Sequence, residues 1–379
     1  MGDVHVLRAP KEDLNMPKLR VRNELLFVVR RYAPVLLLSG FLLTSTPSQA
    51  QINLGPITVG AGIQTDFTHT QPSAGGGGSS DDFSLDHARI YISGPVTDSI
   101  KFQFNTDYDS ATNKIGIMDA VAQFQESPEF NIWVGRFLPP GDRSNLYGPF
   151  YSNQWGVYTD GIQDGYPFIF QGRDNGAMYF GDFAKKLKVS FGAFDGKTLT
   201  GDSKLLVASR VALDFWDSEE GWYQNGTYYG DKNVLAIGLA NQEQSGHTAS
   251  TLDFLMEKKL PNNGVVDIES EFSDYNRLGG YDGAFAKSHG GYGLGSYLFP
   301  KVVPIGKLNG KFQILGKFAD AAFTHGGKLA SYSQKTTEID FSYIIKEFKA
   351  RLMSFYRDTR FDRDHPNFWQ LGLGLQIQM

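Results

Sequence analysis

The sequence contains no cysteine, few prolines and no long apolar run after its first fifty residues. Without cysteine there is no disulfide framework, no thiol nucleophile and no cysteine-ligated metal site. No G-x-S-x-G nucleophile motif occurs, and the seven histidines are scattered without metal-ligand spacing. We therefore predict that the protein is not an enzyme and binds no metal and no cofactor.

An excess of positive charge is also lacking. The formal net charge is −5, and residues 1–50 hold seven basic and four acidic residues. Residues 51–379 therefore hold 36 − 7 = 29 basic and 41 − 4 = 37 acidic residues, which gives a net charge of −8. Because nucleic acids attract basic surfaces, we predict no nucleic-acid partner.

The first fifty residues have the features of an export signal. A basic stretch (18–31) precedes a short apolar run (33–43), and small residues follow at Ser48 and Ala50. A charged start, a short apolar core and a small-x-small exit define a secretory signal peptide. We predict that residues 1–50 are removed, with Met16 as an alternative start, and that residues 51–379 form the mature protein.

The mature chain alternates apolar and polar residues in segment after segment, separated by clusters of Gly, Asn, Asp and Pro. In the last segment Leu371, Leu373 and Leu375 share one face, and glutamine and glycine occupy the other. The mean hydropathy of −0.29 suits a transmembrane barrel, because only alternate residues of each strand face lipid. Most segments are near the length of about 9–11 residues that spans a bilayer when tilted.

We predict an all-β fold, an antiparallel transmembrane barrel of about sixteen strands. The sheet must close, because lipid leaves no partner for the backbone groups of an open edge. Connections between strands should alternate between long and short along the chain. The segment 216–232 is long where a short connection is expected, so a number of strands that differs from sixteen by two stays open. The predicted strands are 56–68, 83–94, 99–108, 115–125, 130–138, 174–183, 186–194, 204–215, 233–242, 248–258, 264–275, 290–299, 310–320, 335–345, 347–357 and 367–379.

Six short motifs occur in order: ARIYISG at 88–94, DYD at 107–109, MDA at 118–120, WVGRFLPP at 133–140, GRDNG at 172–176 and RVA at 210–212. Together they resemble the phosphate-selective porin O and P family over roughly residues 83–379. The resemblance implies a sixteen-stranded barrel, commonly a homotrimer, with a long third extracellular loop folded into the lumen. Residues 139–173 occupy the position of that loop. The terminal strand resembles an outer-membrane assembly signal, although Met379 replaces the usual aromatic residue.

Strand alternation predicts which charged residues face the lumen. Rings of charges of one sign set the ion selectivity of a pore. The residues predicted to face this lumen carry charges of both signs, so they do not predict phosphate specificity. Ladder pairing of Arg89, Lys349 and Arg351 with acids such as Glu338 and Asp340 is the simpler interpretation of these bases. The acidic run on strands ten and eleven predicts a wall that attracts cations. The pore-lining candidates are the basic Arg89, Lys101, Arg210, Lys311, Lys317, Lys349 and Arg351, and the acidic Asp119, Asp253, Glu257, Asp267, Glu269, Glu271, Glu338 and Asp340. The constriction-loop candidates are Asp142, Arg143, Tyr151, Trp155, Asp160, Asp164 and Arg173.

These patterns predict an outer-membrane porin of a Gram-negative bacterium, which lets small hydrophilic solutes or ions diffuse through a water-filled lumen of mixed charge. Its predicted partners are outer-membrane lipid and lipopolysaccharide, the assembly machinery and two further copies of the chain. Two alternatives stay open. One is a channel specific for phosphate, other anions or oligosaccharides, and the other is a plugged structural or adhesive barrel.

Overall fold

The computed structural model describes residues 57–72, 77–110, 113–157, 160, 162, 172–196, 204–278, 285–325, 331–363 and 365–379. All of them belong to one compact unit, Leu54–Met379. The predicted signal peptide and Asp164 lie outside the described residues.

Sixteen strands form one closed antiparallel barrel in which each strand pairs with its neighbours in the sequence and β1 pairs with β16. The predicted all-β fold and the strand count of sixteen are confirmed. The strands are β1 (Thr58–Gln71), β2 (Ser80–Pro95), β3 (Ile100–Asp109), β4 (Lys114–Ser127), β5 (Phe130–Phe137), β6 (Asp174–Phe183), β7 (Leu187–Phe194), β8 (Leu206–Asp214), β9 (Val234–Gln244), β10 (His247–Lys259), β11 (Val265–Asn276), β12 (Phe285–Ile305), β13 (Leu308–His325), β14 (Tyr332–Lys346), β15 (Ala350–Phe361) and β16 (Phe368–Gln378).

The strands alternate between an exposed apolar face and a buried polar face. In β16, Ile377 is 54% exposed, whereas the neighbouring Gln376 is fully buried. An outward apolar surface around a polar interior is the pattern of a barrel that is surrounded by lipid. Exposed apolar side chains of the outer face include Ile63, Ile90, Ile117, Phe124, Val134, Phe191, Val211, Leu239, Leu252, Phe272, Ile314, Phe318, Ile339, Phe341, Leu371, Leu373 and Ile377.

Two details of the predicted strands were wrong. β12 and β13 extend well beyond the predicted 290–299 and 310–320. Strict alternation along the predicted strand 115–125 places Met118 on the same face as the exposed Phe124, but Met118 is buried beside the inward Asp119. The pairing of β3 with β4 shifts at this point, because Ile117 lies opposite Thr106 while Asp119 lies opposite Asn105. This β-bulge turns the intervening Met118 inward.

Two long connections have buried side chains. Nearly all the described side chains of the first are buried, whereas the second has buried, half-buried and exposed side chains. The β5–β6 loop (138–173, described at 138–157, 160, 162, 172 and 173) contains a short helix, α1 (Arg143–Tyr147), and a 3-10 turn at Pro149–Tyr151. The β8–β9 connection (215–233) contains no strand or helix, and all of its residues are described. Since strand direction alternates, the two connections leave the barrel wall at opposite ends. Among the described residues, no helix combines the length and apolarity needed to cross a membrane.

Candidate functional site

The β5–β6 loop is shaped by Asp142, whose side chain caps α1. Its Oδ1 accepts hydrogen bonds from the Asn145 backbone N–H at 2.7 Å and the Ser144 hydroxyl at 2.7 Å. Burial raises the pKa of Asp142, and the hydrogen bonds from Ser144 and Asn145 oppose that rise. Gly148 ends the helix at a φ of +60°, a conformation that favours glycine, and its N–H donates to the Ser144 carbonyl at 2.9 Å.

The loop crosses the barrel interior and binds strands on several sides. The Tyr147 hydroxyl donates to Glu269 on β11 at 2.8 Å. Further along, the Trp155 N–H donates to Asp340 on β14 at 3.4 Å. Arg351 on β15 donates to the Ser152 carbonyl at 2.7 Å. The loop starts from β5, and these partners stand on β11, β14 and β15, so it reaches strands that are far from β5 in the order of the barrel.

The β8–β9 connection is also held inside the barrel. Glu257 on β10 accepts hydrogen bonds from the Thr227 hydroxyl at 3.0 Å and the Gly230 N–H at 2.6 Å. The indole of Trp222 packs against Phe180, with ring centroids 5.6 Å apart, and against Trp133 at 6.3 Å. The Thr227 hydroxyl and two backbone N–H groups, those of Tyr228 and Gly230, satisfy the buried carboxylate. The aromatic contacts hold the other half of the connection against β5 and β6.

The loop and the connection meet in a buried ion pair between Arg143 and Glu219. The same guanidinium donates to the Asn225 carbonyl at 3.1 Å. Burial by itself would raise the pKa of Glu219, but the charge and hydrogen bonds of Arg143 lower it to about 2. A carboxylate held in this way stays ionised over the physiological pH range.

The acidic side chains of β10 and β11 lie beneath these two segments. Glu257, Asp267, Glu269 and Glu271 are at most 3% exposed. The β5–β6 loop and the β8–β9 connection cover these carboxylates and supply their hydrogen-bond donors, so the predicted acidic wall is buried, and its attraction for cations stays a prediction.

A cavity of about 570 Å³ remains between the two segments and the wall formed by β1 to β4. Arg89 in its lining pairs with Asp107 at 2.8 Å, and Arg173 pairs with Asp119 at 3.4 Å. The cavity reaches the strand ends at which β1 begins and β16 ends. Its lining includes Thr58, Gly60, Arg89, Tyr91, Gln103, Asn105, Met118, Asp119, Leu146, Tyr147, Tyr151, Arg173, Tyr223, Gln224, Asn225, Glu347, Lys349 and Met379.

The other predicted basic residues occupy three kinds of position. Arg210 and Lys317 are buried in ion pairs, with Asp253 at 2.5 Å and with Asp160 at 2.6 Å. Lys101, near the start of β3, is exposed, and Lys311, near the start of β13, is half-buried.

Arg351 was expected to pair with Glu338 or Asp340, and this choice of partner was wrong. Glu338 pairs instead with Arg357 at 2.6 Å, because these two residues lie directly opposite each other in the register of β14 and β15. Arg351 lies opposite Ile344 and donates to Gln376 at 2.7 Å.

Several inward charges were absent from the predicted set. Asp107 follows the same alternation as Lys101 and Asn105, so strand parity could have identified it. The same reasoning applies to Arg357, which shares a face with Arg351. Glu219 carried no such signal, because it lies outside every strand. Within the described part of the chain, no group of three or more His, Asp or Glu side chains is arranged to hold a metal ion.

Solved structures with this fold include an outer-membrane protein and a porin. A loop-deletion variant of OmpT from Vibrio cholerae matches with a TM-score of 0.55 at 11% identity, over 86% of this chain and 100% of that one. An anion-selective porin from Comamonas acidovorans matches with a TM-score of 0.54 at 11% identity, over 86% and 99%. OprB from Pseudomonas putida matches with a TM-score of 0.60 at 8% identity, over 85% and 94%.

The fold is that of an outer-membrane porin. At these identities the likeness concerns the fold alone. Comparison with known protein families finds none whose sequence pattern matches the chain. Comparison with curated proteins finds no match either. Membership of the O and P family therefore stays a prediction.

Proposed function

We propose that the protein is a passive channel of the Gram-negative outer membrane. The observation that carries this proposal is the cavity of about 570 Å³, which lies inside a closed barrel and has five charged side chains in its lining. The exposed apolar side chains of the outer face supply the surface that lipid requires. Small hydrophilic solutes or ions would cross along the wall of β1 to β4, driven by their own gradient.

The arrangement of charges supports a narrow path with paired charges along it. Arg89 and Arg173 each lie beside a carboxylate, so a passing ion meets dipolar pairs rather than a ring of one sign. The β5–β6 loop acts as the constriction in this proposal, with Tyr147 and Tyr151 on its cavity side. Size and the local field of these pairs would then select the solutes.

Planar-bilayer recording tests the channel directly. Purified protein, refolded in detergent, should insert in discrete steps, and each step should have a current proportional to voltage. Heat-modifiable migration in gels should confirm that the sample is a folded barrel. A folded sample that inserts into lipid and never conducts would contradict the proposal.

A specific anion channel is the second candidate, and the cavity favours it over a cation channel. Three basic residues (Arg89, Arg173 and Lys349) and two acidic ones (Asp119 and Glu347) are among the cavity lining. This balance agrees with the resemblance to phosphate-selective porins, although it does not single out phosphate. Block of chloride current by phosphate, compared with block by a neutral oligosaccharide, separates the anion from the sugar alternative.

A plugged structural or adhesive barrel is the third candidate. It is favoured by the number of hydrogen bonds and ion pairs that hold the β5–β6 loop across the interior. Binding of the protein to surfaces without conductance would support it.

We also propose a homotrimer, as the O and P resemblance implies. One solved structure of OmpT with this fold is described as a trimer form. Chemical cross-linking in detergent should give a species of three chains, and a sample that cross-links only to dimers or not at all would refute it.

A further inference from the structure

The β8–β9 connection lies at the end of the barrel where β1 begins and β16 ends, yet it folds inward. Its neighbours at the same end are short: β6 and β7 are joined by residues 184–186, and β12 and β13 by residues 306–307. In the β8–β9 connection, by contrast, Glu219, Trp222, Gln224 and Thr227 are at most 6% exposed. A surface turn would leave such side chains in water.

The connection contacts the β5–β6 loop along several residues. The Gly226 N–H donates to the Tyr151 carbonyl at 2.8 Å, and the Gln224 N–H donates to the Leu146 carbonyl at 3.4 Å. Arg143 adds its ion pair with Glu219, in which both side chains are at most 1% exposed. Two segments that enter from opposite ends therefore form one body in the middle of the lumen.

Both segments also border the same cavity. The β5–β6 loop contributes Leu146, Tyr147 and Tyr151 to its lining, and the β8–β9 connection contributes Tyr223, Gln224 and Asn225. The Tyr223 hydroxyl accepts a hydrogen bond from Gln103 on β3 at 3.3 Å, so the connection reaches across the cavity to the opposite wall. The width of the cavity thus depends on where the connection sits.

We propose that the β8–β9 connection is a second constriction element and that the Arg143–Glu219 ion pair holds it in the lumen. The proposal rests on the channel function proposed above and adds a residue pair that determines the size of the path. The energetic reason is the cost of burying a guanidinium without its nearer counter-ion, since the remaining carboxylate of Asp253 lies 3.7 Å from the Arg143 Nε. This cost favours withdrawal of the connection once the pair is broken.

The first test is Glu219→Gln, with Glu220→Gln as the matched control. Glu220 is the next residue and pairs with Lys185 at 3.3 Å, but both side chains are mostly exposed. Since conductance follows the width of a constriction, we expect E219Q to raise the single-channel conductance roughly twofold or more and to admit larger solutes. E220Q should keep the wild-type value.

Thiol labelling provides a second readout that does not depend on conduction. The backbone of Gly226 packs against the backbone of Ser152, Ser152 is fully buried, and the chain has no cysteine of its own. S152C should therefore resist a water-soluble maleimide in the wild-type background and react with it in the E219Q background, where the connection withdraws. The control E220C, at an exposed position, should react in both backgrounds.

The outcomes separate the two proposals. A silent wild-type channel together with a conducting E219Q variant would overturn the passive-channel function and support the constriction. Equal protection of S152C from the maleimide in the wild-type and E219Q backgrounds of a folded barrel would overturn the constriction. So would an E219Q variant that conducts, or stays silent, in the same way as the wild type.

Discussion

Arg210 on β8 and Asp253 on β10 form a bidentate ion pair across β9, the strand that separates them. The guanidinium Nη1 lies 2.5 Å from Oδ2, and Nη2 lies 2.8 Å from Oδ1. Gly238 on the intervening β9 lies opposite Asp253, and a Cβ atom there would be 2.6 Å from the Asp253 Oδ1. The pair can cross β9 only because position 238 has no side chain.

Gly238→Ala should therefore destabilise the barrel by about 1–3 kcal/mol, the usual cost of overpacking a filled interior. Gly293→Ala is the matched control, since a Cβ atom at that strand position would meet nothing within 4 Å. Urea unfolding in detergent, followed by tryptophan fluorescence, measures both changes. Equal stability of G238A and G293A would show that the pair does not depend on the glycine.

Removing Asp253 from its ion pair with Arg210 should lower the free energy of unfolding more than placing a methyl group at position 238 does. Asp253→Asn would leave a buried guanidinium without its counter-ion, and we expect a loss of about 3–5 kcal/mol in the free energy of unfolding. The control is Asp320→Asn, which breaks an exposed ion pair with Lys335 at 3.6 Å. That change should cost about 0–1 kcal/mol. The prediction fails if the two variants unfold at the same urea concentration.

Ion selectivity should follow the charges of the cavity rather than the covered carboxylates. Arg173→Gln should shift the reversal potential in a salt gradient toward cation preference, and Asp119→Asn should shift it toward anion preference, because both residues line the cavity. Glu271→Gln should leave it unchanged, since Glu271 is 3% exposed beneath the β5–β6 loop. A shift produced by E271Q alone would place the solute path along β11 instead.

The Arg143–Glu219 pair should resist acid. Burial alone would raise the pKa of Glu219, but Arg143 lowers it from 4.5 to about 2. For a lowered pKa, the stabilisation is complete above the ordinary value of 4.5 and is lost as the pH falls toward 2. Wild-type conductance should therefore show no step from this pair between neutral pH and about pH 4. E219Q should show the same pH profile at a higher conductance, and a wild-type step near pH 6 would contradict this assignment.

A charged side chain on the outer face of the barrel should destabilise the protein more strongly near the middle of a strand than near its end. Leu373 lies near the middle of β16 and is 56% exposed, so Leu373→Arg should cost about 2–4 kcal/mol if that face meets hydrocarbon. Ile115 is 70% exposed but stands at the start of β4, where an arginine should cost about 0–1 kcal/mol. Refolding yield into lipid vesicles compares the two, and equal tolerance would mean that the face does not contact lipid.

The sequence by itself determined the barrel, because the requirement for alternate lipid-facing residues is written locally into every strand. The run from Leu371 to Ile377 shows it within a few residues, and the same period recurs until sixteen strands are counted. Strand parity also placed Arg89, Asp119 and Glu271 on the inner face.

Only the tertiary structure decided which of these charges meet and which face a cavity. Glu338 pairs with Arg357 through the register of two strands, and Arg210 reaches Asp253 across a third. The inward fold of the β8–β9 connection depends on Glu219 finding Arg143, which is 76 residues away in the chain. Contacts of that kind leave no periodic trace in the sequence, because they join irregular segments whose positions are set by the closed wall around them.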